Sequence, residues 1–138
     1  MRIVRLRPGD EQLLRSGAGL FDDPPTPEWT EQFLARPGHH LLFAVGDDDQ
    51  PVGFVSGVET MHPDKGIEMF LYEVDVAEAH RNQGVGRSLV GALADLAREL
   101  GCYGMWVATD ADNVPALRAY AAAGAGAPEP FVMLSWEF

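Results

Sequence analysis

EMFLYEVDVAEAHRNQGVGRSLVGALADLAREL, residues 68–100, is the stretch whose reading decides the fold. Met69 to Val76 is apolar, β-branched and aromatic, the composition of a central strand covered on both faces. Arg81-Asn82-Gln83-Gly84-Val85-Gly86 follows as a turn. From there Val85, Leu89, Val90, Leu93, Leu96, Ala97 and Leu100 recur at helical spacing, and Gly101 marks the C-terminal stop. A strand feeding a glycine-bearing helix start favours an anion. The first amides of a helix lack intrahelical partners, and the macrodipole adds partial positive charge there. Gly84 and Gly86 carry no Cβ, so a phosphate can approach the backbone, and either glycine can take a positive φ. Arg81 and Arg87 bracket the pair with two of the few cations in the chain. The spacing points to a phosphate cradle rather than to a turn that only needs flexibility.

With 138 residues the chain fits one domain spanning 1–138. Acids outnumber bases by 21 to 10, a net charge of −11 that makes nucleic acid a poor partner. A cationic small molecule or a basic peptide is easier to accommodate. Cys102 stands alone, so neither an intramolecular disulfide nor a cysteine-rich metal cluster is expected, and it reads as a small core residue. No apolar run reaches membrane-spanning length, and no signal-peptide pattern opens the chain. A cytoplasmic protein without membrane contact is the expectation.

Outward from the central stretch, Arg2 to Arg7 reads as a first strand, with Asp10 the N-cap of a helix running to about Leu20. Phe21 to Pro25 is loop. Thr26-Pro27-Glu28 opens a second helix, which carries Trp29, Phe33 and Leu34 on one side and stops before Pro37-Gly38. Leu41 to Val45 and Val52 to Val58 are strands around the turn Gly46-Asp47-Asp48-Asp49-Gln50-Pro51. Three adjacent aspartates lack the alternation and terminal Glu of a calcium loop, so this is a solvated turn. His39, His40, His62 and His80 show no metal-ligand pattern, and no metal site is expected. Tyr103 to Ala108 reads as a fifth strand, Pro115 to about Ala123 as a helix, and Phe131 to Phe138 as a closing strand. The alternation of strands and helices predicts an α/β mixed sheet with helices on both faces.

Arg81-x-x-Gly84-x-Gly86, with Val76 five residues upstream, resembles the acyl-CoA signature of the GNAT superfamily of N-acetyltransferases. Asn113, Ala116, Tyr120 and Gly124 reproduce that family's N-x-x-A-x-x-x-Y-x-x-x-G spacing downstream. The resemblance implies a mostly antiparallel central sheet whose fourth and fifth strands splay apart to admit acetyl-CoA. It implies that the strand backbone at Val74, Asp75 and Val76 holds the pantetheine arm. The diphosphate would lie on Arg81, Asn82, Gln83, Gly84, Val85, Gly86, Arg87 and Ser88, and Asn113 would contact the pantetheine. Tyr120 matches the tyrosine that protonates the departing thiolate; a phenol with pKa near ~10 can do so when held close.

The family often places an acid or His four or six residues before Val76, where this chain has Tyr72 and Phe70. The base must then come from elsewhere. Asp110 and Glu68 rank ahead of Glu73, which strand alternation puts on the face opposite Tyr72 unless a bulge re-aims it. By the same resemblance, Phe21, Asp22, Asp23, Glu28 and Trp29 roof the acceptor site beside Tyr72. The run from Glu68 through Val76, His80-Arg81, Gly101-x-Tyr103, Asp110 and Pro115-Ala116-x-x-x-Tyr120 looks closest to the aminoglycoside 3-N-acetyltransferase branch. Asn113 and residues 26–36 follow the general superfamily pattern instead. The implied reaction is direct acetyl transfer from acetyl-CoA to a primary amine of a small cationic acceptor in a ternary complex. A homodimer through the apolar C-terminal strand is implied only by analogy with the superfamily. The rival readings are a non-catalytic acyl-CoA-binding regulatory module and an enzyme acting on a protein or peptide amine.

Overall fold

The computed structural model describes residues 1–138. Five strands make one sheet in the order β1 (Arg2–Arg5), β2 (His39–Val45), β3 (Pro51–His62), β4 (Gly66–Val76) and β5 (Met105–Trp106). The first four pair antiparallel, and β5 joins β4 in parallel. Helices α1 (Glu11–Ser16) and α2 (Pro27–Ala35) cover one face; α3 (Val85–Glu99) and α4 (Val114–Ala122) cover the other. This is the mixed, mostly antiparallel GNAT-like fold expected from the sequence.

Strand alternation divides the core into two. Phe43, Val45 and Phe54 point to the α1–α2 side with Leu14 and Leu34. Leu42, Val55, Met69 and Leu71 point to α3, whose Val85, Leu89, Val90, Leu93, Leu96 and Ala97 form one buried stripe. Each such large side chain contributes about 1.5–3 kcal/mol by leaving water. Gly57 lets α3 come this close: a Cβ there would sit 2.9 Å from Leu93 Cδ1 and Met69 Sδ. No helix is long and apolar enough to cross a membrane.

Several elements depart from their predicted bounds. The first helix ends after Ser16 with Gly17 as its C-cap, where a Cβ would lie 2.8 Å from the Phe43 ring; a short 3-10 turn, Ala18–Leu20, follows. The Asp10 carboxylate does not cap α1. It accepts the Arg7 N–H at 2.8 Å and closes its own turn instead. Thr26 does cap α2, accepting from the Trp29 N–H at 3.2 Å, yet Trp29 is 66% exposed and stands apart from the buried Thr30 and Leu34. β3 and β4 run longer than their apolar segments because they meet in a tight hairpin, His62 opposite Gly66. β5 keeps two residues of the six expected, since it diverges from β4 beyond Phe70. The closing strand does not form within the chain: residues 123–138 follow α4 without secondary structure.

Candidate active site

The turn between β4 and α3 presents backbone donors. Arg81 folds back and donates from Nε to the Val76 carbonyl at 2.9 Å, while its guanidinium lies 3.5 Å from the Asp75 carboxylate. Asn82 (φ 60°) and Gly84 (φ 82°) both enter the left-handed region. The resulting curl leaves the amides from Asn82 to Arg87 without a hydrogen-bond partner in the chain; the first backbone bond into α3 runs from the Ser88 N–H to the Gly84 carbonyl at 3.0 Å. Gly84 is needed for its φ, but Gly86 is not. A Cβ at position 86 would meet only Val76 Cγ2, at an ordinary 3.8 Å. Six amides, the positive end of a fifteen-residue helix and the exposed Arg81 and Arg87 form a site whose chemistry fits a diphosphate.

Beside this turn the sheet is split. Met69 and Phe70 pair with Met105 and Trp106, and the N–H of Met69 reaches the Gly104 carbonyl at 2.9 Å. From Leu71 to Val76 the β5 side of β4 has no partner strand, so its backbone is open for an extended ligand arm to add as a strand. Val74 and Val76 turn their side chains toward α3. Tyr120 approaches the split from α4, buried among Leu71, Val90 and Met105, and burial pushes its phenol pKa up, which keeps the proton on the oxygen at neutral pH. Asn113 caps α4: its Oδ1 accepts from the Ala116 N–H and its Nδ2 donates to Thr109 Oγ1, each at 3.3 Å. One Nδ2 hydrogen remains for a ligand.

On the opposite face of the sheet the pairing slips by one residue: Ser56 faces Glu73 while Gly57 faces Leu71, so Tyr72 is the extra residue of a β-bulge. The bulge restores Val74 and Val76 to the α3 side and turns Glu73 and Asp75 to the α1–α2 side with Phe70. Glu73 is therefore not on the face that simple alternation assigned to it. The Glu73 carboxyl is pushed up by burial first, then by the negative charges of Asp22 and Asp75. Next to these acids lies an aromatic shelf. Phe70 stacks on Trp106 at 4.2 Å and meets Tyr72 edge-on at 5.9 Å.

The other predicted site residues divide. Asp22 belongs to the carboxylate group. Phe21 is pinned in the core, stacked on Phe54 at 4.5 Å, while Asp23, Glu28 and Trp29 are exposed on the rim. Glu68 lies at the hairpin end of β4, 3.4 Å from His62 Nε2, an ion-pair distance without hydrogen-bond geometry. Asp110 is exposed in the loop after β5, where its carbonyl accepts the Asn113 N–H at 3.0 Å. Two residues of this face were not singled out from sequence. Trp106 carried no signal, because the register that sets it beside Phe70 is not readable from the sequence. Ser56, a lone polar residue in an apolar strand, is buried with an unpartnered hydroxyl on the same face as Phe54 and Glu73.

Residues 10–125 match the acetyltransferase (GNAT) family. The chain therefore belongs to that family. Streptothricin acetyltransferase of Streptomyces lavendulae is 34% identical over 77 residues, 56% of this chain and 39% of that protein. The match thus spans well under half the length of that relative. Among solved structures, an aminoglycoside acetyltransferase from an uncultured soil metagenomic sample, in complex with trehalose, superposes with a TM-score of 0.90 at 20% identity, over 99% of this chain and 95% of that one. The AAC(6')-Iy enzyme in complex with the bisubstrate analogue CoA-S-monomethyl-acetylneamine superposes with a TM-score of 0.81 at 19% identity, over 99% and 97%. These structural likenesses are likenesses of fold.

Proposed function

We propose that this chain is a single-domain N-acetyltransferase that moves the acetyl group of acetyl-CoA directly onto a primary amine of a small cationic acceptor, with both substrates bound together. The observation that carries the reading is the row of unpaired amides from Asn82 to Arg87 opening beside the unpaired edge of β4. The donor supplies an activated acyl thioester. The chain's own residues do the rest. The amides and Arg87 hold the diphosphate, the backbone from Leu71 to Val76 aligns the pantetheine arm, and Asn113 contacts it. A backbone N–H of that strand donates a hydrogen bond to the reacting carbonyl oxygen as charge develops there. Tyr120 gives its proton to the leaving sulfur.

Glu73 is the base in this account. Its raised pKa makes it a better proton acceptor than an ordinary carboxylate, and its bulge turns it toward the acceptor face. Asp22 and Asp75 add charge that draws an ammonium, and the shelf of Phe70, Tyr72 and Trp106 suits a cation against its rings. Asp110 and Glu68 stand outside this group, and Asp23, Glu28 and Trp29 form its outer rim. An acceptor with several amines, such as an aminoglycoside or streptothricin, fits three converging carboxylates, and the 3-N ring position is the specific form of the reading. A second copy of the chain as partner and a cytoplasmic setting, which the single free Cys102 suits, belong to the same reading.

The test is thiol release from acetyl-CoA across a panel of aminoglycosides, streptothricin, simple diamines and peptide amines, with product mapping by mass spectrometry and NMR. Turnover on a polycationic small amine is expected, with 3-N rather than 6' modification. Acetyl-CoA binding without turnover on any amine would leave the binding-module reading in its place.

A further inference from the structure

Two buried polar atoms lack a hydrogen-bond partner in the chain, His62 Nε2 and the Ser56 hydroxyl. The first at least faces Glu68 at 3.4 Å. Ser56 is 8% exposed, and its oxygen is shielded from solvent. A hydroxyl that gives up water without gaining a partner is destabilising, so buried hydroxyls are rarely left that way. Its neighbours on the same face are apolar: Phe54 and Val58 along β3, and Leu41 across on β2. An apolar residue at 56 would match them without that penalty. The hydroxyl points instead to a partner that joins it in another state of the site.

That partner lies on its other flank. Ser56 is directly opposite Glu73 in the β3–β4 register, and it is the bulge at Tyr72 that sets them together. Continued from the Gly57–Leu71 pair without the slip, the ladder would oppose Ser56 to Tyr72 and carry Glu73 to the α3 face beside Val55. Bulges of this kind re-aim a side chain. Directly opposed residues hold their Cβ atoms about 4.5–5.5 Å apart, so a rotation of the Glu73 side chain brings a carboxylate oxygen within reach of Ser56 Oγ. Glu73 is exposed in the open cleft and free to make that turn. The charges that act on it are Asp22, from the loop before α2, and Asp75, on its own strand beside Arg81. Both disfavour its ionised form, and across the sheet β3 and β2 offer only Ser56 and Leu41.

We propose that the Ser56 hydroxyl donates a hydrogen bond to the ionised Glu73 carboxylate and so holds it for the acceptor, which makes Ser56 a positioning residue for the base. One carboxylate oxygen accepts from Ser56 Oγ, and the other keeps a lone pair toward the acceptor's ammonium. As the ammonium proton passes to that second oxygen, the nitrogen retains the electron pair it needs for attack and Glu73 becomes a neutral acid. A donor to the charged form lowers a carboxyl pKa, so Ser56 offsets part of what burial, Asp22 and Asp75 do to Glu73. The kinetic consequence rests on Glu73 being the base of the proposed function; the hydrogen bond itself does not.

Carboxyl-carbon NMR titration of the chain labelled at glutamate Cδ tests the bond without any substrate, with Glu73→Gln identifying the resonance. In Ser56→Ala the Glu73 carboxyl is expected to titrate about 0.5–1 pH unit higher than in the wild type. Ser56→Cys keeps the size of the side chain but donates weakly, and is expected to move the titration in the same direction. An unmoved or lowered Glu73 titration in whichever of these variants folds overturns the inference. Rate against pH is the second readout. The acidic limb of kcat/KM is expected to rise with the NMR value in Ser56→Ala while the alkaline plateau stays near that of the wild type; a lowered plateau with an unmoved limb would make Ser56 a packing residue and overturn its positioning role. A shifted NMR titration beside a fixed limb that Glu73 does not govern would keep the hydrogen bond and remove Glu73 as the base. Loss of activity in Glu73→Gln with no effect of Ser56 on the titration would do the reverse.

Discussion

Glu73 is held where ionisation costs the fold something. Burial and the charges of Asp22 and Asp75 raise its pKa, so the folded state binds this proton more tightly than the unfolded chain does. Stability is accordingly lost as pH rises through the window between the unfolded and folded values. Glu73→Gln is expected to raise the denaturation midpoint at pH 7.5 while lowering kcat/KM by about 10²–10⁴-fold; parallel melts and initial rates check both. A wild-type rate with Gln at 73 would move the base to Asp110 or Glu68. Tyr120→Phe removes one buried hydroxyl from a well-packed site. It is expected to lower kcat by on the order of 10²-fold or more with little change in acetyl-CoA affinity, measured by steady-state rates against equilibrium titration. Equal loss of both would make Tyr120 a packing residue.

At the scale of elements, the two glycines opening α3 do different work. Gly84→Ala forces a side chain into left-handed backbone and is expected to cost about 1–2 kcal/mol in urea unfolding. Gly86→Ala lies in ordinary helix with room for a Cβ and is expected to be neutral or stabilising by up to about 1 kcal/mol. Equal losses at both would contradict the cap geometry. The central strand, turn and helix were legible in sequence because pattern and local chemistry agree there. Val85 to Leu100 has one apolar stripe, and the glycines mark its start. Elsewhere tertiary contacts decided the outcome. Nothing in Gly17 alone says that the first helix ends there with Phe43 packed against it. The Tyr72 bulge, which carries Glu73 across the sheet, falls opposite the Ser56–Gly57 step of β3, a register that no local pattern announces. The two-residue β5 reflects divergence from β4, not weak strand propensity in Tyr103 to Ala108. The apolar tail reads as a strand, but no strand of the sheet pairs with it.

For the molecule as a whole, charge couples the strands across the sheet. Arg5 donates to His40 Nδ1 at 3.1 Å, and His40 Nε2 lies 2.7 Å from Glu59 Oε2, so a neutral imidazole protonated on Nε2 links β1, β2 and β3. Burial lowers the His40 pKa from 6.5, against the raising effect of Glu59. The unfolded chain therefore takes up this proton first, and the contribution is lost as pH falls below the unfolded value. The urea midpoint is expected to drop between pH 7.5 and 5.5, and to drop less in His40→Gln; equal slopes would remove His40 from the account. Above all, the molecule is read as a holder of coenzyme A through bare amides, and isothermal titration with coenzyme A tests that most directly, using the wild type beside Gly86→Leu. A single site of micromolar or tighter affinity is expected in the wild type. Loss of that heat is expected in Gly86→Leu, whose Cβ would meet only Val76 Cγ2 at 3.8 Å and whose longer side chain is expected to reach over the amides, with an unchanged circular dichroism spectrum as the check on folding. No heat with the wild type, or undiminished binding with leucine at 86, would contradict it.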